Sequence, residues 1–306
     1  MNFPRPRQES CSAANWWRAP CPCLNKTQRT VRRKSLRIIR KSLMPIIVST
    51  LNGGIASVKI SNIARRNALD QDMFECLAAL WPQLAADASV KVVLLQGDGS
   101  EFFCSGADLS ADLESLDSID ELVGRALLKT QFFPKPIVAA IQGGCVAGGL
   151  ELAMAADIRI AANDAKIGFP EVCWGIVPSG GAAMKLADQI GQTFALDLLL
   201  TGRIISGAEA EKIALVTCAC PHDRVLALAL ERAQKIATNS SMAVQATKEC
   251  ALGHRMRQYS FLEVQERSVV ARVRASGDFK EGKAAFLEKR LPDFDNSRKL
   301  QGLNQK

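Results

Sequence analysis

Two carboxylates stand out for the company they keep. Glu151 closes the run Gln142-Gly143-Gly144-Cys145-Val146-Ala147-Gly148-Gly149-Leu150, and Glu171 sits in Ile167-Gly168-Phe169-Pro170-Glu171-Val172. Small residues let a backbone approach a ligand closely, and Gly148-Gly149 opens a helix whose N–H groups attract partial negative charge. A third segment, Phe102-Phe103-Cys104-Ser105-Gly106-Ala107-Asp108-Leu109, follows the apolar run Val90–Gln96 and exposes backbone N–H groups with little side chain in the way. Two carboxylates and two backbone donors suffice for general acid–base work on an enolate. Each part alone also has a plain structural explanation. The third segment is a strand-to-helix turn. Glu151 in a first helical turn complements the dipole by a few tenths to about 1 kcal/mol. Glu171 among Phe, Pro and Val could simply face solvent. The glycines form neither a P-loop nor a G-x-G-x-x-G fingerprint, so phosphate or dinucleotide binding has weak support.

Other chemistries lack material. The 306 residues include only two histidines, His222 and His254, which leaves almost nothing for a Ser-His or Cys-His pair. The close cysteine pairs, Cys21-Pro-Cys23 and Cys218-Ala-Cys220, are not C-x-x-C, and no metal site is expected. Cysteines such as Cys76, Cys104, Cys145 and Cys173 lie beside apolar neighbours and read as reduced, buried small hydrophobes. The net charge of +8 belongs to the leader: residues 1–43 hold 11 Lys/Arg against Glu9, leaving 28 basic and 30 acidic residues in the rest. A basic nucleic-acid-binding face is therefore not indicated. No uninterrupted apolar run approaches the ~20 residues of a membrane helix.

The elements that must position these groups begin after the leader. Residues 1–43, with scattered prolines, Trp16-Trp17 and a basic stretch from Arg29 to Lys41, read in three ways: a transit peptide, a basic contact arm, or sequence upstream of a true start at Met44. The last fits best, because Met44 directly precedes a well-formed strand; disorder is expected in all three cases. Ile46–Thr50 and Ile55–Ser61 flank Asn52-Gly53-Gly54, a hairpin signal. Asp70 caps a helix from Gln71 to about Ala86, which Pro82 should bend or shorten. Val90–Gln96 and Ile137–Gln142 suit buried strands, Gly148–Ala156 a helix, and Ile158–Ala161 a further strand. Residues 110–130 look helical but irregular, as expected of a segment covering a pocket. Thr201-Gly202-Arg203 is a turn, and Ser206 caps the next helix. Beyond residue 200 only helices are expected: Arg224–Asn239, Met242–Leu252, and a pair from Phe261 to Arg290 broken near Gly277. Alternating strands and helices define an α/β class. The expected division is a leader over 1–43, an α/β core over 44–235 and a helical region over 236–306.

In this order and spacing the segments resemble the crotonase (enoyl-CoA hydratase/isomerase) superfamily, from about Met44 to Phe294. Ala64-Arg65-Arg66-Asn67-Ala68-Leu69 is similar to its R-N-A-L segment, and Ser105-Gly106-Ala107-Asp108-Leu109 to its S/A-G-A-D-L motif. Lys280-Glu281-Gly282-Lys283-Ala284-Ala285-Phe286-Leu287-Glu288-Lys289-Arg290 resembles its C-terminal E-G-x-x-A-F-L-E-K-R helix. The resemblance implies a crotonase-like spiral of ββα units with a helical C-terminal trimerisation region, assembled as a homotrimer or dimer of trimers. It implies an oxyanion hole from the backbone N–H groups of Ala107 and Gly148, catalytic Glu151 and Glu171, and coenzyme-A contacts at Arg65, Arg66, Ala68, Asp108, Leu109, Phe286 and Lys289. The expected activity is hydration of an enoyl-CoA, with no cofactor besides the coenzyme A of the substrate and no nucleic-acid or membrane partner. An enoyl-CoA isomerase is the runner-up, since it needs one carboxylate; a non-catalytic or RNA-binding member rests on the leader alone. The expected compartment is the cytoplasm, or the mitochondrial matrix if residues 1–43 are a transit peptide. Gln142, Gly144 and Ala147 depart from the family's second loop. Ala147 is expected to cost little because Gly148 is kept, and Trp174 is expected to narrow the acyl pocket.

Overall fold

The Gly53-Gly54 turn takes φ values of 82° and 83°, a left-handed backbone that glycine adopts without a Cβ clash. In the computed structural model, which describes residues 46–111, 113 and 118–295, this turn joins β1 (Ile46–Leu51) to β2 (Ile55–Ile60), with Leu51 opposite Ile55. The leader and the proposed start at Met44 lie outside the described residues.

β2 is followed by parallel neighbours in one sheet: β3 (Val92–Gly97), β5 (Ile137–Ile141), β7 (Ile158–Ala162) and β10 (Cys218–Cys220), in the order β1-β2-β3-β5-β7-β10. Val92 to Leu95 and all five residues of β5 are buried, as a parallel sheet covered on both faces requires. A second sheet of three-residue strands runs β4 (Phe102–Cys104), β6 (Gly144–Val146), β8 (Lys166–Gly168) and β9 (Ile204–Ser206). Successive turns of chain give one strand to each sheet and then a helix: β3-β4-α2 (Ile119–Ala126), β5-β6-α3 (Gly148–Met154) and β7-β8-α4 (Ala182–Ile190). This is the α/β spiral of ββα units that the resemblance implies.

Pro82 does not shorten α1, which spans Gln71–Ala86, with the Asp70 side chain accepting the Met73 N–H at 2.9 Å. An interior proline costs about 3 kcal/mol, but the helix buries Met73, Phe74, Leu77, Leu80, Trp81 and Leu84. At roughly 1.5–3 kcal/mol for each large side chain, that face outweighs the lost backbone bond.

The region after residue 200 is not helix-only. β9 and β10 lie there, one pairing with β8 and the other with β7. Strands of three residues are too short to show a period of two. The sequence reading also places no helix between 182 and 201, where α4 is followed by α5 (Gln192–Thr201). Ser206 caps α6 (Gly207–Lys212) as expected, accepting the Glu209 N–H at 3.1 Å. After α7 (Val225–Ala237), the two segments expected from Met242 and Phe261 form one helix, α8 (Ser241–Ala275), carried through Gly253. The break near Gly277 is real: its φ is 78°, and α9 (Asp278–Glu288) starts there. Among the described residues, no helix is long and apolar enough to cross a membrane.

Candidate active site

The turn after β4 is tied to Leu69. The Leu69 N–H donates to the Gly106 carbonyl at 2.7 Å, and the Asp108 N–H to the Leu69 carbonyl at 2.9 Å. Alternate amides of a bridged segment point opposite ways, so the Ala107 N–H faces away from this bridge. After β6, the Ala147 N–H donates to the Gly168 carbonyl at 3.0 Å, and Gly148 begins α3. Among the described residues neither the Ala107 nor the Gly148 N–H has an acceptor. The two backbones adjoin: a Cβ on Gly148 would stand 3.6 Å from the Ala107 nitrogen, and one on Gly106 would stand 3.0 Å from the Gly148 nitrogen. Two adjacent, unpaired amides can share one oxygen atom of a ligand.

Ala147 is a correction. Its φ of 52° and ψ of −134° lie where glycine is favoured, so it is not a costless replacement. Such strain costs on the order of 1–3 kcal/mol, partly offset by the larger unfolded-state entropy of glycine. Ala147→Gly should raise unfolding free energy by about 1 kcal/mol, measured by urea titration.

Glu151 and Glu171 are both buried. Glu151 sits in the first turn of α3, and its Oε1 accepts the Ala182 N–H at 3.0 Å. Glu171 lies on a 3-10 turn over Pro170–Trp174, and its buried Oε2 has no hydrogen-bond partner among the described residues. Burial pushes Glu151 up to about 7; the Ala182 amide, Lys129 and Lys185 pull against that, and Glu266 adds to it. Burial and then the neighbouring Glu151 charge push Glu171 well above the ordinary carboxyl range. Near neutrality the pair can therefore hold one proton on Glu171 opposite an ionised Glu151, an acid beside a base.

This arrangement opposes stability. A folded-state pKa above the unfolded one favours the fold while the group is protonated, and that contribution is lost as pH rises from about 4.5 through about 7. Glu151→Gln stays neutral and can still accept the Ala182 N–H. It should be more stable than the parent at pH 8 by about 3 kcal/mol, seen as a Tm several degrees higher, with the difference vanishing near pH 4.

The expected coenzyme-A residues fall in two places. Arg65 is exposed, 3.3 Å from Asp108 Oδ2 and hydrogen-bonded to Ser110, while Asp108 Oδ1 accepts the Ser110 N–H at 2.9 Å. Ala68 is buried and Leu109 half-buried near the same bridge. Arg66 lies over the Phe102 ring at 5.4 Å. Phe286 and Lys289 are instead at the end of α9, beside the Glu171 turn: the Phe286 ring meets Trp174 edge-on at 5.2 Å, and a Cβ on Gly282 would strike the Trp174 carbonyl. Trp174 thus spends one face on α9. Cys173 on the same turn is exposed rather than buried, because the turn that sends Glu171 inward sends its neighbour out. Cys76 is half-buried, while Cys104 and Cys145 are buried as expected.

The sequence reading missed the residues behind Glu151. A Cβ on Gly180 would fall on Glu151 Oε2, so a side chain there would displace the carboxyl. Lys129 and Lys185 are buried nearby. Their signal was present as single cations inside Leu127-Leu128-Lys129 and Met184-Lys185-Leu186. Among the described residues no three His, Cys, Asp or Glu side chains converge as a metal would need.

The enoyl-CoA hydratase/isomerase family model matches residues 50–297. Enoyl-CoA hydratase EchA19 of Mycobacterium tuberculosis is 37% identical over 252 residues, 78% of this chain and 92% of the relative. The 2,3-dehydroadipyl-CoA hydratase of Escherichia coli is 34% identical over 236 residues, 76% of this chain and 91% of the relative. The crystal structure of an enoyl-CoA hydratase/isomerase from Pseudoalteromonas atlantica superposes with a TM-score of 0.75 at 29% identity, covering 82% of this chain and 99% of that one. The chain belongs to the enoyl-CoA hydratase/isomerase family, and is an enzyme of the crotonase superfamily.

Proposed function

We propose that the protein is an enoyl-CoA hydratase. The observation that carries this reading is the pair of buried carboxyls in unlike settings, Glu151 held by the Ala182 N–H and Glu171 without a partner on Oε2 among the described residues, together with two amides that have no acceptor among those residues. The Ala107 and Gly148 N–H groups receive the thioester oxygen of a trans-2-enoyl-CoA. Ionised Glu151 takes a proton from water as its oxygen bonds to Cβ, and the π electrons pass through Cα into the thioester oxygen. Protonated Glu171 then delivers its proton to Cα as the enolate collapses. One water is added, and a final transfer between the carboxyls restores the starting state. Arg65, Arg66, Ala68, Asp108, Leu109, Phe286 and Lys289 are assigned to the coenzyme A. The exposed Phe261 and Val264 on α8 support assembly as a trimer or dimer of trimers through the region from 236 onward, with 44–235 as the core.

Crotonyl-CoA provides the test. Hydration removes the conjugated enoyl absorbance and adds one water to the product mass. If the protein instead converts 3-enoyl-CoA to trans-2-enoyl-CoA at unchanged mass and leaves crotonyl-CoA alone, the isomerase reading replaces this one. Turnover of neither rejects both.

A further inference from the structure

Behind Glu151 lies a set of buried charges that the chemistry above does not use. Lys129, just after α2, pairs with Glu266 and, at 3.6 Å, with Glu263, both on α8. Lys185 of α4 donates to the Leu128 carbonyl at 3.1 Å and lies 5.9 Å from the Tyr259 ring centre. Among the described residues Lys185 has no carboxylate within 4.0 Å, although it is buried. A buried cation without an ion pair is costly unless nearby charge compensates it.

The Gly180-Gly181 step brings this set against Glu151. A Cβ on Gly180 would fall on Glu151 Oε2, and one on Gly181 would stand 3.5 Å from Lys185 Nζ and 3.7 Å from Lys129 Cγ. The groups whose charge acts on the buried Glu151–Glu171 pair are the Ala182 N–H and Lys185 from α4, Lys129 after α2 and Glu266 from α8; Glu263 of α8 and Asp120 of α2 act on those in turn. Buried charges are weakly screened, so they act on one another beyond hydrogen-bond range.

We propose that the buried cations Lys129 and Lys185, opposed by Glu266, are positioning residues that bias the ionisation of Glu151, so that the long C-terminal helix α8 carries part of the site's charge balance. This deepens the hydratase reading and rests on its assignment of Glu151 as the base. Lys185 and Lys129 favour the Glu151 carboxylate, while Glu266 opposes it. Removing a cation and removing the anion must then act in opposite senses, which a merely structural role for these residues would not do.

The pH profile of kcat/KM for crotonyl-CoA reports the base in the free enzyme. Lys129→Met and Lys185→Met should each move its acidic limb up, and Glu266→Gln should move it down, each with a smaller change in the plateau. Lys185→Arg should restore the parent limb. A second readout needs no turnover: the infrared carboxylate band that disappears in Glu151→Gln, titrated in each variant, should shift in the same opposed senses. If Lys185→Met does not fold, Lys129→Met carries the upward shift. Loss of thermal stability with an unmoved band, or shifts in one common direction, overturns the proposal. A parent enzyme that ignores crotonyl-CoA rejects the hydratase reading instead, and the infrared titration still decides this one.

Discussion

Replacing Glu151 or Glu171 by glutamine should lower kcat for crotonyl-CoA hydration by roughly 10²–10⁴-fold, the range for loss of a positioned acid or base. Both residues are buried, and among the described residues neither holds another element through a salt bridge, so the fold should survive. In Glu151→Gln the new amide oxygen would still accept the Ala182 N–H, and Glu171→Gln replaces a carboxyl whose Oε2 has no partner to lose among the described residues. Affinity for a saturated acyl-CoA, measured calorimetrically, should change less than about threefold, because in the proposed mechanism the carboxyls act only on groups that the saturated ligand lacks. The two carboxyls also act as a unit: a glutamine at either position removes half of one proton circuit. The double variant should therefore lose little more than the worse single variant. Retention of hydration in either single variant sinks the assignment. Loss of hydration with saturated-ligand affinity lost in parallel would point to a collapsed pocket rather than to missing chemistry.

How far the sequence reveals this site depends on the kind of signal each part leaves. The hairpin at Gly53-Gly54, the buried runs of β3 and β5 and the break at Gly277 are local, set by turn chemistry or a continuous apolar stretch, and the structure has them where the residues place them. The positions of Ala107, Gly148, Glu151 and Glu171 were readable only as a set, since each had a bland explanation of its own. What the sequence hid was tertiary. The strands β9 and β10 exist because β8 and β7 offer edges to them, and three residues carry no period. The continuity of α8 past Gly253 depends on helix on both sides rather than on that residue. The opposition of Lys185 to Glu151 across Gly180-Gly181 joins α3 to α4 through space, and nothing in the spacing of 151 and 185 announces it. The strain at Ala147 was likewise invisible, because only the backbone shows that this alanine stands at positive φ.

Gly148→Pro should cost roughly 10²–10³ in kcat, the loss seen when one oxyanion donor is removed, while leaving the protein folded. Backbone donors are ordinarily out of reach of mutation, but this one occupies the first helical position of α3, where proline is tolerated because the N–H there has no helical acceptor. Among the described residues no protein acceptor is lost with it. The residue before a proline avoids the α region and favours extended backbone. Ala147, at φ 52° and ψ −134°, is outside the first but not in the second, so the substitution adds to the strain already at that residue. Gly148→Ala is the control that keeps the N–H. Its Cβ would stand 3.6 Å from the Ala107 nitrogen, an ordinary contact that crowds the site without removing a donor. The hydrogen-bond account therefore requires the proline variant to lose clearly more kcat than the alanine variant, with both melting within a few degrees of the parent. Equal losses would mean that bulk beside Ala107, and not a missing donor, is what the chemistry feels. In that case the two amides would be a structural gap in the turn, and charge on the thioester oxygen would have to be stabilised by other groups.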